Sequence, residues 1–160
     1  MTGVQTCALP ISSFAVGAGK LIIWQPQSGG PFSPQDMVNW YTEMNAAMRR
    51  GHGGFKGKQG DQGSFKAARS FARLFLMPGV NHCGGGPGTS QIDAFSPLVN
   101  WVENGVAPES ILGTAPAATP WPGRTRPLCP YPQYARYKGT GDINVAANFE
   151  CRSDSDDDTQ

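Results

Sequence analysis

Two apolar runs on either side of an amphipathic helix constrain the fold of this chain more than any other feature. The runs are GKLIIW at 19–24 and FARLFLMPGV at 71–80, both short and rich in β-branched or aromatic residues, as buried strands are. Between them a helix is predicted from Ser33 to Arg50. A helix that connects two buried strands is typical of an α/β fold with parallel strands and flanking helices.

The helix between the runs has a start signal and an apolar face. Ser33 is a suitable N-cap, Pro34 suits the first helical position, and Asp36 completes a capping box. One face carries apolar residues at spacings of three and four: Met37, Trp40, Tyr41, Met44 and Met48.

A second helix is predicted over 92–105, where Gly105 would follow its C-cap. Its expected apolar side consists of Ile92, Phe95, Leu98, Val99 and Val102. Trp24, Trp40 and Trp101 are expected to pack on the core faces of these strands and helices rather than to form a sugar-binding platform.

Composition predicts a thin core with long irregular stretches. The 160 residues include 21 glycines and 14 prolines, and the hydrophobic fraction of 39% is below the usual ~45–50%. We therefore predict an α/β part at 12–120 and an irregular segment at 121–151 that packs on it. A disulfide between Cys129 and Cys151, which bracket most of that segment, would stabilise it by about 3 kcal/mol.

The two ends of the chain are expected not to contribute to the fold. Residues 1–11, MTGVQTCALPI, match a translated short-read sequencing adapter, so we interpret them as an artefact and the rest as a C-terminal fragment of a larger protein. Without Cys7 three cysteines remain, an odd count that indicates a free thiol or a partner outside this chain. The acidic tail at 152–160 is predicted to be disordered, with no loop geometry for calcium.

Charge and hydropathy argue against two classes of partner. The net charge is +1, which gives no basis for electrostatic binding to nucleic acid or to an anionic membrane. No apolar run approaches the roughly 18 residues that a membrane-spanning helix needs. We expect neither nucleic acid nor membrane as a partner.

His82 is the residue that points most directly to chemistry. It follows the second apolar run in VNHCGGGPG, and a helix comes after it. In α/β-hydrolases the acid follows one strand and the histidine a later strand, and a neutral imidazole takes the serine proton and returns it to the leaving alcohol. On spacing alone a surface or packing histidine remains an alternative. GGGPG lacks the lysine and hydroxyl of a phosphate-binding loop, and zinc ligation by His52, His82 and the cysteines fails on spacing.

Five stretches carry long, distinctive motifs: GKLIIW, FSPQDMVNWY, LFLMPGVNHCGGGPG, LVNWVENGVAPESI and RTRPLCPYPQYARYKGTGDINVAANFEC. Together they resemble the C-terminal part of the tannase and feruloyl esterase family of α/β-hydrolases, over about residues 13–151. The resemblance implies a secreted or periplasmic serine esterase that cleaves phenolic acid esters. It also implies that His82 is the general base, that Cys83 is bonded to a cysteine before the serine, and that Cys129 and Cys151 form a C-terminal bridge.

The chain departs from the family pattern at the nucleophile and at the acid. No serine nucleophile elbow is present, and Gly29 occupies the position of the expected aspartate, in WQPQSGGPFSP. The serine, the lid domain and the family's calcium site would all lie upstream, so no cofactor is expected in this chain. Two interpretations stay open: the histidine-bearing part of an ester hydrolase, inactive alone, and a degenerate, non-catalytic hydrolase-like fragment or binding scaffold.

Overall fold

A computed structural model describes residues 8–28, 30, 33–49, 65–82 and 84–153. The elements in chain order are helix α1 Ala8–Val16, strand β1 Leu21–Pro26, helix α2 Pro34–Arg49, helix α3 Lys66–Arg69, strand β2 Ala72–Met77, strand β3 Gln91–Ile92, helix α4 Phe95–Asn104, and strands β4 Ile111–Thr114, β5 Thr125–Leu128, β6 Tyr134–Tyr137 and β7 Phe149–Arg152, with a 3₁₀ turn Ala146–Asn148 before β7. Residues 1–7 lie outside the described residues. Residues 8–11 belong to α1 and Ile11 packs against the core, so the expectation that 1–11 do not contribute to the fold is wrong for this stretch. The interpretation of 1–11 as an artefact stays a prediction.

The two predicted strands pair in parallel, joined by a connection that contains the predicted helix. Leu21 lies opposite Ala72 and Pro26 opposite Met77, so the strands run in register over their whole length. Parallel strands need a crossover connection, which α2 and α3 supply. The predicted α/β arrangement is therefore present in the described part of the chain.

The hydrophobic core consists of one cluster on each side of this strand pair. The first cluster packs beneath α1 and α2 and contains Tyr41, Met44, Met48, Phe71 and Leu74 among its buried members. The second packs beneath α4 and contains Ile22, Phe75, Met77, Trp101 and Leu128. Because Leu74 and Phe75 enter opposite clusters, β2 is buried on both faces, as strands of parallel sheets usually are.

The ends of the two main helices follow their sequence signals only in part. Ser33 Oγ accepts a hydrogen bond from the Gln35 backbone N–H at 3.2 Å, as an N-cap does. The carboxylate of Asp36 makes no hydrogen bond within the described residues, so the second half of the predicted capping box is not formed. Gly105 has a φ of 72° at the C-terminus of α4, which is the left-handed conformation expected there.

The predicted apolar side of α4 is wrong in detail. The helix begins at Phe95, because Asp93 Oδ1 accepts hydrogen bonds from the Phe95 and Ser96 backbone N–H groups, each at 3.0 Å. A hydrogen bond from the Ser96 side chain, together with these backbone bonds, holds the pKa of the Asp93 carboxyl below its usual range. Ile92 thus belongs to β3, and the buried side chain of α4 is Trp101, as predicted for that tryptophan, whereas Phe95 and Val102 are exposed.

The C-terminal segment is more regular than the sequence suggests. Strands β3, β4 and β5 form an antiparallel sheet, and β6 and β7 form an antiparallel pair. Cys129, directly after β5, is disulfide-bonded to Cys151 in β7, with the Cα atoms 5.5 Å apart. Short strands that pair through backbone groups need little side-chain periodicity, which is why the sequence signal was weak.

Tyr41 provides a test of the first core cluster. Its hydroxyl donates a hydrogen bond to the Ala72 carbonyl at 3.0 Å, and the residue is fully buried. We expect Tyr41→Phe to lower the free energy of unfolding, measured in urea, by about 1–2 kcal/mol, because a buried acceptor loses its donor. Tyr131→Phe is the matched control, since its ring packs edge-on against Tyr41 while its hydroxyl makes no hydrogen bond to described residues. Equal losses in the two variants would contradict the prediction.

Burial also raises the pKa of the Tyr41 phenol well above its ordinary value of about 10. The folded chain therefore keeps this proton in a pH range where the unfolded chain releases it. The contribution to stability is complete below pH ~10 and is lost as the pH rises above that value.

Candidate active site

His82 lies in a compact turn that begins where β2 ends. Gly79 adopts a φ of 71°, and its carbonyl accepts a hydrogen bond from the Gly88 N–H at 2.9 Å, which closes the loop around the histidine. Inside the loop the Asn81 carbonyl accepts from the Gly84 N–H at 3.0 Å. His82 itself is exposed at the tip.

Two glycines of this loop are required by close backbone approach. A Cβ atom at Gly86 would collide with the Gly79 carbonyl oxygen, and one at Gly88 would collide with the Pro78 carbonyl oxygen. The glycine-rich sequence therefore serves to fold the loop tightly and so to fix the path of the chain that carries His82. This is a structural role that needs no phosphate ligand.

The segments after β1 and β2 are hydrogen-bonded to each other beyond the ends of the strands. The Gln27 N–H donates to the Met77 carbonyl at 3.1 Å, and the Ser28 N–H donates to the Val80 carbonyl at 2.9 Å. Val80 lies two residues before His82, so this bond anchors Ser28 at the start of the histidine loop. The residue at which the acid is predicted, Gly29, lies outside the described residues.

His82 lines a cleft of about 460 Å³ together with residues from the end of β1 and the start of α2. The other lining residues are Trp24, Gln25, Pro26, Ser33, Asp36, Met37 and Trp40. Catalytic groups are expected at this edge, because ligands of open α/β sheets bind at the carboxyl ends of the strands.

The expectation that Trp24 and Trp40 pack in the core is wrong. Their side chains are exposed by 51% and 36%, and both form walls of the cleft. Trp24 is the fourth of the six residues of β1, and its side chain lines the cleft together with Met37 and Trp40 of α2. No local sequence signal separates Trp24 from the core residues of the same strand.

Asp36 is the carboxylate among the residues that line this cleft. Sequence analysis assigned it to a helix cap, but its side chain is exposed and makes no hydrogen bond with the described residues. It shares the cleft with His82, and nothing in the described contacts joins the two side chains directly. We assign it no catalytic role.

His52 and Cys7, which have no predicted site role, lie outside the described residues, as do two predicted site residues, Gly29 and Cys83. Their predicted roles stay predictions. Within the described ranges there is no group of three or more histidine, cysteine, aspartate or glutamate side chains that could hold a metal ion. None of the helices described is long and apolar enough to cross a membrane.

Comparison with known proteins identifies the family. The family model described as tannase and feruloyl esterase matches residues 1–152. The chain belongs to the tannase and feruloyl esterase family. This result confirms the resemblance seen in the motifs.

Individual relatives and solved structures match most of the chain. Mono(2-hydroxyethyl) terephthalate hydrolase of Piscinibacter sakaiensis is 46% identical over 145 residues, which is 88% of this chain and 21% of that protein. A probable feruloyl esterase of Arthroderma benhamiae is 37% identical over 90% of this chain and 25% of its own length. The crystal structure of an esterase from Aspergillus oryzae has a TM-score of 0.69 and 26% identity, over 89% of this chain and 29% of that one.

The chain therefore spans about a fifth to a quarter of the length of the curated relatives it matches. Its fold is similar to part of an esterase fold, and its family is one of carboxylic ester hydrolases.

Proposed function

We propose that this chain is the histidine-bearing, C-terminal part of a serine carboxylic ester hydrolase that acts on phenolic acid esters, such as feruloyl or galloyl esters. The observation that carries the proposal is the position of His82, at the carboxyl end of β2 and in one cleft with the end of β1. In a hydrolase with the chain order serine, acid, histidine, these are the places of the last two members.

His82 would act as the general base. Its neutral imidazole accepts the proton of the attacking serine, and the resulting imidazolium donates that proton to the alcohol that leaves when the ester bond breaks. Water then attacks the acyl-enzyme with the same histidine as base, which releases the carboxylic acid. The tight glycine loop contributes by fixing the backbone from which the imidazole extends.

The remaining machinery is assigned by resemblance and is part of the proposal. The serine and a cysteine bonded to Cys83 would lie upstream, as would the lid domain and its calcium. Position 29 is that of the acid in the family pattern, and glycine supplies no carboxylate there. We infer that the chain alone has no turnover.

Compartment and partners follow from the same proposal. A disulfide such as Cys129–Cys151 persists in oxidising compartments, so we place the parent protein outside the cytoplasm, secreted or periplasmic. Its partner would be a small phenolic ester, with neither nucleic acid nor membrane involved.

A degenerate, non-catalytic fragment is the second candidate, and Gly29 at the acid position favours it. Sequencing the gene at high coverage from its source, then assaying its product on methyl ferulate and methyl gallate, separates the two. The esterase proposal expects a Cys-Ser pair upstream, aspartate at position 29 and hydrolysis that a serine-directed phosphonate blocks. A well-covered gene with glycine at 29 and no such serine would support the degenerate fragment.

A further inference from the structure

A second cleft, of about 540 Å³, borders the base of the histidine loop. Gly79 and Gly88 of that loop contribute to its wall, while His82 lines the cleft described above. Nearly half of its lining residues come from β5 and from the segment that follows Cys129. Its volume lies within the ~300–1,000 Å³ typical of small-molecule sites.

The walls of the second cleft are aromatic and apolar. Trp121, Tyr131 and Tyr134 present rings to it, and several prolines and Leu128 supply aliphatic surface. Tyr131 is held in place because its ring packs edge-on against Phe65, with ring centroids 5.1 Å apart. These surfaces would accept a flat, apolar ligand body such as an aromatic ring.

Two guanidinium groups, those of Arg124 and Arg126, stand at the same cleft. Arg124 lies 3.9 Å from the centroid of the Trp121 ring, and its Nε donates to Asn144 Oδ1 at 2.8 Å. Arg126 lies 4.1 Å from the centroid of the Phe149 ring, and its Nη1 donates to the Thr125 carbonyl at 2.8 Å. Ring stacking and these single hydrogen bonds fix both groups while leaving further N–H donors of each unused by described atoms.

The positive charge of Arg124 and Arg126 is not balanced by acidic residues in the lining of the second cleft. No carboxylate lies among its lining residues, and within the described part of the chain neither arginine forms an ion pair. Burial lowers the pKa of the Arg126 guanidinium most, and repulsion from Arg124 lowers it further. The carboxylate of Asp142 opposes this shift, but it lies beyond ion-pair distance. An anion bound between the two arginines would relieve the repulsion, and a carboxylate matches the guanidinium fork.

We propose that this cleft is a second binding site, for an aromatic monocarboxylate whose ring rests against Trp121 and Tyr131 and whose carboxylate contacts Arg124 and Arg126. The proposal does not depend on the esterase function, because neither His82 nor an upstream serine takes part. Benzoate is the simplest probe, and benzamide is its uncharged analogue of the same shape.

The test is a calorimetric titration of the His82→Ala chain with benzoate and with benzamide, which excludes binding at His82 as the cause. We expect benzoate to bind at least about tenfold more tightly than benzamide, as hydrogen bonds between charged groups predict. The Trp121 indole N–H resonance should shift on binding while that of buried Trp101 stays in place. Equal affinity for the two compounds would overturn the proposal without bearing on the esterase function.

Two variants test whether Arg126 provides the positive charge that binds benzoate. Arg126→Met keeps the length of the side chain over Phe149 and should weaken benzoate binding about tenfold, with benzamide unaffected. Arg136→Met is the matched control, since Arg136 is an exposed residue of β6 outside this cleft. A similar loss of benzoate affinity in both variants would mean general electrostatic attraction and would also overturn the proposal.

Discussion

Gly29→Asp is expected to raise kcat roughly 10⁴-fold in a chimera in which this chain replaces the matching residues of the Piscinibacter sakaiensis hydrolase. That relative is 46% identical over the match and supplies the rest of an ester hydrolase. A carboxylate at position 29 would bond the imidazole Nδ1–H and stabilise the imidazolium, an effect of about this size in triad enzymes. The measurement is steady-state hydrolysis of mono(2-hydroxyethyl) terephthalate.

Two controls make this prediction specific. Gly29→Asn has the same shape without the charge and should leave the chimera near its glycine level. His82→Ala should remove the gain made by Gly29→Asp but cost little when Gly29 is present, because members of a triad act as a unit. Imidazole ¹⁵N shifts should report a single Nδ1–H tautomer for His82 only in the Gly29→Asp chimera. A Gly29→Asp chimera no faster than its Gly29→Asn counterpart would contradict the assigned acid position.

Removal of the Cys129–Cys151 disulfide is expected to lower the free energy of unfolding by about 3 kcal/mol. The bond joins residues 22 positions apart and ties β7 to the end of β5. Breaking the bond increases the conformational entropy of the unfolded chain, which stabilises the unfolded state relative to the folded one. The measurement is chemical denaturation of Cys129→Ala and of the double variant Cys129→Ala/Cys151→Ala.

The comparison between single and double variants is the internal control. Because both variants lack the same bond, their free energies of unfolding should fall by equal amounts. A reducing agent should lower the free energy of unfolding of the original chain to the same value and leave that of the two variants unchanged. A reductant effect that persists in the double variant would assign the loss to another thiol.

The central strands and helix were predictable because each has a strong local signal. β1 and β2 are apolar runs, and α2 combines an N-cap with a repeated apolar face, so burial and local preference agree. Tyr41, Met44 and Met48 of that face are indeed buried.

The remaining errors share one physical cause, which is that long-range contacts outweigh local pattern. Which side of α4 is buried depends on Trp101 meeting β2 and β4, and periodicity alone assigned Phe95 to the core. β5, β6 and β7 are four-residue strands whose pairing is set by partners far along the chain. Trp24 looked like a core residue because no local sequence signal separates it from the core residues of the same strand.

The candidate site was predictable only in outline. The order of strand, helix, strand and histidine placed His82 correctly at the end of β2, and the motifs gave the family. The cleft walls and the bond between Ser28 and Val80 arise from tertiary packing, which single-residue patterns do not encode.

The segment after Cys129 lies along the edge of β2 that does not pair with β1. Pro130 bridges Phe75, and the Tyr131 N–H donates to the Leu74 carbonyl at 2.7 Å, so β2 has a backbone neighbour on each side. Proline has no N–H to offer to a further strand. A larger parallel sheet that incorporates this pair would therefore add its strands next to β1, and the histidine loop would follow its last parallel strand.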